Sequence, residues 1–276
     1  MPKQQEFHIK LKRFNIHTME KNRIVAVLGR KGSGKSTLIK DILYHVKDIP
    51  VGTVISPTEE LNEFFSDIVP PIFIHPDYDE SIVDRFVDRQ RLIIKKHKEQ
   101  IKRFGKSNID YNAYLILDDC MYDNTWCKDK SIRFMFTNGR HTKALFLFTL
   151  QYPLGIPPTL RTNVDYVFIY KDDLLRNRRI IYENYASVFP TFDIFCVFME
   201  QCTQNYECLV IDNTCVTGKL EDKVFWYKAN LEIPDFKMGD EEFWNYGKDT
   251  EFEYNDEINE YNPNKKRPNI HIDKTY

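Results

Sequence analysis

The sequence predicts an α/β fold, a mostly parallel central sheet with helices on both faces, and three observations carry that expectation. Ile24–Leu28 is a continuous apolar run, Ile-Val-Ala-Val-Leu, of the kind found in strands buried on both faces. Residues 114–117, 144–150 and 166–170 repeat the pattern, and the polar stretches between them are long enough to hold crossover helices. Residues 36–46 place Leu38, Ile39, Ile42, Leu43 and Val46 at helical spacing after the first run, with Pro50 and Gly52 ending the element.

The remaining elements follow in chain order. Residues 6–14 alternate polar residues with Phe7, Ile9 and Leu11, which suits a strand that lies at an edge or begins the sheet. Residues 53–56 and 72–74 are short apolar runs bounded by Pro57, Pro70, Pro71 and Pro76, each a candidate strand of the same sheet. A long helix is expected between Glu80 and Phe104. Residues 174–198 read as helical with a break near Pro190, and residues 207–211 and 223–227 as late strands. Beyond Pro234 the composition turns to Asp, Glu, Asn and Tyr. One main domain over residues 1–230 and a poorly ordered acidic tail or interaction arm over 231–276 are therefore expected.

Charge supports that division. Residues 231–276 hold 12 Asp/Glu against 6 Lys/Arg, so the remainder, with 29 against 33, is mildly basic although the chain as a whole carries −2. No stretch has the form of a cleavable leader, and no run approaches the roughly 18 apolar residues of a membrane span. A soluble intracellular protein is expected. The six cysteines form no C-x-x-C pair, which points to free thiols in a reducing compartment rather than to disulfides or zinc.

Residues 29–36, Gly-Arg-Lys-Gly-Ser-Gly-Lys-Ser, match the G-x-x-x-x-G-K-[ST] pattern between a predicted buried strand and an amphipathic helix, the context that pattern requires. A triphosphate needs many donors aimed at one point. Gly29, Gly32 and Gly34 let backbone N–H groups curl around it, and the helix beginning near Lys35 adds its positive end. Lys35 is placed to reach the outer phosphates and Ser36 to ligate magnesium.

Residues 114–119, Tyr-Leu-Ile-Leu-Asp-Asp, form an apolar strand ending in two carboxylates. Asp118 is the natural metal partner and Asp119 the candidate base, although an isolated Asp-Asp is as readily a turn or helix cap. Some 80 residues separate this pair from the phosphate loop. That leaves room for an extra strand and helix, which favours motor-type P-loop proteins over compact kinases. The strand 144–150 delivers Gln151 to the same sheet edge, where its amide is placed to touch both γ-phosphate and water. Arg140, in Asn138-Gly-Arg-His141 and read as lying on a short loop, is a candidate arginine finger for a neighbouring subunit. Arg161 is a weaker one, Arg30 a candidate in cis, and a surface ion pair is the plain alternative for Arg140. From Asp84 to Lys106 nine Lys/Arg face three Asp/Glu, a basic stripe suited to a phosphate backbone or simply to solvent.

With the loop, the Leu-Asp-Asp strand end, Asn-Gly-Arg-His and Thr149-Leu-Gln-Tyr-Pro-Leu-Gly-Ile-Pro-Pro158 all in order, the chain resembles the virion genome-packaging ATPases of nucleocytoplasmic large DNA viruses, in the FtsK/HerA superfamily. The resemblance runs from about residue 20 to about 215 and includes Asn163-Val-Asp-Tyr-Val-Phe and Cys202-Thr-Gln-Asn. It implies a RecA-like, ASCE-type P-loop motor domain. Gly29, Arg30, Lys31, Gly32, Ser33, Gly34, Lys35, Ser36 and Thr37 would bind ATP, with Ser36 and Asp118 serving Mg2+. Asp119 would be the catalytic carboxylate, Arg140 the finger and Gln151 the sensor.

It further implies a hexameric ring that threads duplex DNA into a capsid, located in the virion and the host's cytoplasmic viral factory, and anchored through a capsid or inner-membrane partner. Many superfamily members have Glu where this chain has Asp119, one methylene shorter. A nucleoside or nucleotide kinase, with Arg176, Arg178 and Arg179 as its lid, and a nucleotide-switched assembly scaffold are the competing expectations.

Overall fold

The computed structural model describes residues 11–120 and 126–249, and the continuous apolar runs become the strands of one eight-stranded sheet. In chain order these are β1 (Ile24–Leu28), β2 (Gly52–Ile55), β3 (Ile74–His75), β4 (Ala113–Leu117), β5 (Ala144–Leu150), β6 (Tyr166–Tyr170), β7 (Glu207–Asp212) and β8 (Val224–Lys228). The spatial order is β3-β2-β4-β5-β1-β6-β7-β8. Strands β3 to β6 in that order are parallel, whereas β7 pairs antiparallel with β6 and β8 antiparallel with β7. The central strands are buried along their whole length because both faces are covered.

Alternate residues of each strand feed two separate cores. Val25, Val27, Ile116 and Leu147 pack with Leu38, Ile39, Ile42 and Leu43 of α1 (Lys35–His45). Ala26, Leu28, Leu115 and Phe148 face the other way. There they meet α3 (Glu80–Phe104), α4 (Lys130–Thr142), α6 (Leu175–Tyr185) and α7 (Phe192–Cys202) through residues such as Val83, Phe136, Ile181 and Phe195. Two short helices, α2 (Glu59–Asn62) and α5 (Pro158–Arg161), lie in connections, and α8 (Glu241–Asp249) is the last element.

Several expectations need correcting. Residues 72–74 are not a strand: Pro71–Phe73 form a 3-10 turn and only Ile74–His75 pair with β2, because two consecutive prolines remove the ladder donors ahead of them. Of the expected strand 6–14, residues 6–10 lie outside the described residues. The rest makes a single parallel bridge, Arg13 to Trp226 of β8. Arg140 is not on a loop, since α4 continues through it to Thr142. Beyond residue 230 the described residues, up to 249, still make contacts with the body. Met238 is fully buried, its N–H donates to Ile68 O (2.8 Å), Trp244 Nε1 donates to Met238 O (2.8 Å), and Phe243 packs on Phe73 with ring centres 5.0 Å apart. Apolar residues spaced through an acidic stretch were enough to dock it. The remainder of that segment, 250–276, lies outside the described residues.

Candidate nucleotide site

Every parallel strand delivers its C-terminal end to one edge of the sheet, and the sequence-predicted residues that gather there do so for that reason. The loop between β1 and α1 is fixed from below. Gly29 N–H donates to Leu150 O (3.0 Å), and Tyr170 Oη donates to Gly34 O (3.1 Å). A side chain at Gly29 would come within 2.5 Å of Ser33 Oγ and 3.0 Å of Tyr170 Cβ, so any larger residue would displace the Ser33 hydroxyl and press on Tyr170. Gly34 precedes α1 at φ +102° and offers no side-chain cap. The first amides of α1 are thereby left to an external acceptor. Ser33 Oγ is buried without a hydrogen-bond partner. An anion held in this loop would satisfy both.

Lys35 is nearly buried, its ammonium folded back on Gly29 O (3.0 Å) and Arg30 O (3.1 Å). Ser36, in the first turn of α1, is exposed, as are Lys31 and Gly32, while Thr37 is half-buried. Arg30 donates to Asp172 Oδ1 (2.7 Å), which places its guanidinium on the β6 side of the loop. The carboxylates lie on the other side.

There the sequence reading missed a residue. Thr149, near the end of β5, donates its hydroxyl to Asp118 Oδ1 (2.8 Å) and accepts the Asp119 N–H (2.9 Å), so one side chain sets both carboxylates. The signal was available as a hydroxyl within an otherwise apolar strand. Asp119 adopts φ +51°, a left-handed conformation costly for a residue with a Cβ, and accepts the Gln151 amide on Oδ1 (2.8 Å). Asp118 is buried, and burial, opposed by the Thr149 hydrogen bond and reinforced by the charge of Asp119, pushes its carboxyl up to about 6. Lys35 is close enough to act electrostatically in the opposite sense.

Such a pair suits a hard dication. Mg2+ takes oxygen donors and is commonly held by one or two carboxylates plus phosphate oxygens rather than by a full protein cage. Among the described residues no group of three or more His, Cys, Asp or Glu is poised for a metal. Asp118 and the Ser36 hydroxyl are the donors at hand.

Arg140 and Arg161 do not join this cluster. Arg140, in the last turn of α4, lies at the opposite edge of the sheet, where it pairs with Asp165 just before β6. Asp165 is fully buried and also accepts the Ile24 N–H (2.9 Å). Arg161 is buried against Asn184 and the Tyr185 ring. The arginines considered for a kinase lid are largely tied down: Arg178 is buried, donating to Asp172 O (2.6 Å) and Glu200 (2.8 Å), and Arg179 lies 3.7 Å over the Phe192 ring. No helix among the described residues is long and apolar enough to cross a membrane.

No protein-family model matches the chain. Over 247 residues it is 37% identical to protein L437 of Acanthamoeba polyphaga mimivirus, covering 87% of this chain and 86% of that one. Over 239 residues it is 41% identical to protein 075L of Invertebrate iridescent virus 6, covering 85% and 88%. Among solved structures, it is similar to B204, the DNA-packaging ATPase from Sulfolobus turreted icosahedral virus. The TM-score is 0.53 at 16% identity, over 77% of this chain and 100% of that one. ATPase domains 2 and 3 of EssC from Geobacillus thermodenitrificans give a TM-score of 0.50 at 13% identity, over 83% and 43%. The structural likenesses establish the RecA-like α/β fold and the sequence identities the kinship: the chain belongs to the family of large-DNA-virus proteins that includes L437 and 075L, built on the fold of the viral genome-packaging NTPases.

Proposed function

We propose that the chain is an ATP-hydrolysing motor that moves duplex DNA into a viral capsid. The observation that carries this reading is the convergence of Lys35, Asp118, Asp119 and Gln151 on one sheet edge, with Thr149 bonded to both carboxylates. The loop amides and Ser33 would cradle the phosphates, and Lys35 would leave its carbonyl partners for the outer phosphate oxygens. Bound Mg2+, held by Ser36 and Asp118, would neutralise charge that develops on the phosphates.

Asp119 would orient and deprotonate the attacking water. Its side chain is one methylene shorter than the glutamate of many superfamily members, so its reach to the reacting centre would run through a bridging water. Gln151, bonded to Asp119 at the end of β5, is placed to exchange that contact for the γ-phosphate and so carry the hydrolysis state into the sheet. Arg140 is offered across a subunit boundary in a ring, in keeping with its distance from its own loop.

The DNA side of the reading rests on α3. Gln90 donates to Tyr111 O (2.9 Å) and Thr142 O (2.7 Å), marking where the helix reaches the N-terminal edge of the sheet. The last ten residues of α3 span about 15 Å at 1.5 Å per residue. There Lys95, Lys96, Lys98, Lys102 and Arg103 are exposed, with Glu99 the acid among them. Such a face attracts phosphate backbones without reading sequence.

The test is the ATPase rate of the purified, assembled protein as long duplex DNA is added. Stimulation that weakens steeply with salt is expected. A rate indifferent to DNA, together with no DNA movement in a single-molecule assay, would exclude the motor.

A further inference from the structure

We infer that Tyr206 forms one wall of a nucleobase subsite beside the phosphate loop, an assignment that rests on the nucleotide-binding reading above. Tyr206 immediately precedes β7, the first antiparallel strand, so it stands on the same sheet edge as the loop although it is far from it in sequence. Its side chain is 67% exposed, yet it is not remote from the loop: a side chain on Gly34 would meet the Tyr206 ring edge at 3.4 Å. Behind it the ring of Tyr170 is buried and bonded to Gly34 O. The flank of the loop on this side is therefore aromatic twice over, once as a buried support and once as an exposed face.

Two further observations give that face a purpose. Asn205 and Tyr206 adopt φ +52° and +64° in succession, a left-handed pair that projects the tyrosine from the end of a rigid strand. Non-glycine residues hold such conformations at a cost, and they concentrate where a protein places a side chain for a ligand. The second observation is the polarity of the edge. Asp118, Asp119 and Gln151 belong to β4 and β5, whereas Tyr206 belongs to β7, with β1 and its loop between them. A triphosphate whose outer phosphate sits by the carboxylates must carry its ribose and base away from them. The β6–β7 side, with an exposed ring at the height of the loop, is where the base finds a partner. Stacking on a tyrosine with two side-chain torsions costs little ordering and accepts any π-face.

The experiment compares equilibrium binding of magnesium-ATP and of magnesium tripolyphosphate, which has no base, to the full-length protein and to Tyr206→Ala and Tyr206→Phe. Thermal melting verifies that both variants are folded. We expect Tyr206→Ala to bind ATP about tenfold more weakly, as for loss of one base–aromatic stack, to bind tripolyphosphate unchanged, and Tyr206→Phe to restore ATP binding. Equal loss of both ligands would show that the ring only props Gly34, and would overturn the subsite. Unchanged binding of both would overturn it as well. Failure of the unaltered protein to bind either ligand would instead remove the nucleotide-site reading on which this one stands.

Discussion

Asp118→Asn should make the ligand-free protein more stable at neutral pH while abolishing its use of magnesium. The carboxyl titrates near 6 in the folded chain against 3.8 for a free aspartate, because burial penalises its charge. That difference, at 1.36 kcal/mol per pH unit, places an upper bound of about 3 kcal/mol on the cost of ionising Asp118 in the native state. The sign follows from proton counting. Between about pH 4 and 6 the folded state binds more protons at this position than the unfolded state, so this contribution to stability falls as pH rises, and above 6 the cost is complete.

An asparagine keeps an oxygen to accept the Thr149 hydroxyl and carries no charge, but it loses the attraction of Lys35. A net gain of about 1–3 kcal/mol is therefore expected at pH 8, worth several degrees of melting temperature in a domain of this size, shrinking towards zero at pH 4. Urea unfolding of both proteins across that range measures it. The wild type should gain stability from magnesium-ATP at pH 8, and less below 6 as Asp118 protonates. The variant should show no magnesium-dependent gain. A variant less stable than wild type at pH 8, or a difference independent of pH, would refute the assignment of Asp118 as a buried, charge-strained ligand.

Other substitutions separate the remaining roles. Asp119→Asn should retain ATP in equilibrium binding but lose multiple-turnover hydrolysis, and undiminished turnover would displace Asp119 as the catalytic carboxylate. Thr149→Val preserves shape but leaves Asp118 Oδ1 and the Asp119 N–H without their shared partner. A loss of about 1–3 kcal/mol in urea unfolding and at least a tenfold lower turnover are expected, and wild-type turnover would deny Thr149 its positioning part. Arg140→Ala leaves Asp165 with Arg23 at 3.6 Å and the Ile24 amide. Because the arginine is half exposed, only about 1 kcal/mol of stability should go. Mixed with intact subunits it should depress ATPase activity more than in proportion to its share, and strictly proportional activity would make it a structural residue.

The strands were legible because a strand covered on both faces leaves no room for polar residues: Ile24–Leu28, Ala144–Leu150 and Tyr166–Tyr170 were readable to the residue. Their order was not, since apolar runs carry no mark of which neighbour they pair with. Arg140 was misread because Asn138-Gly139 is a strong local turn signal. Within α4, however, Gly139 is buried against Ile24 and Thr142 Oγ1 bonds to Gly139 O (2.6 Å), so packing outweighs the helix propensity of glycine. The phosphate loop was visible as a local motif. Thr149 left a trace, a hydroxyl in an apolar strand, but its partners some 30 positions away left none, and the place of Tyr206 depends on a strand reversal that no local spacing encodes.

The margins of the sheet limit how copies of this chain can meet. On one side β3 offers only two residues, preceded by prolines that lack an N–H, and on the other the backbone of residues 12–14 straps β8 by exchanging hydrogen bonds with Trp226. Among the described residues neither margin presents a long row of open amides to a second molecule. A ring of subunits would accordingly be held by side chains on helices and loops, contacts that can slide and re-form as each nucleotide is consumed, instead of being welded into a continuous ribbon.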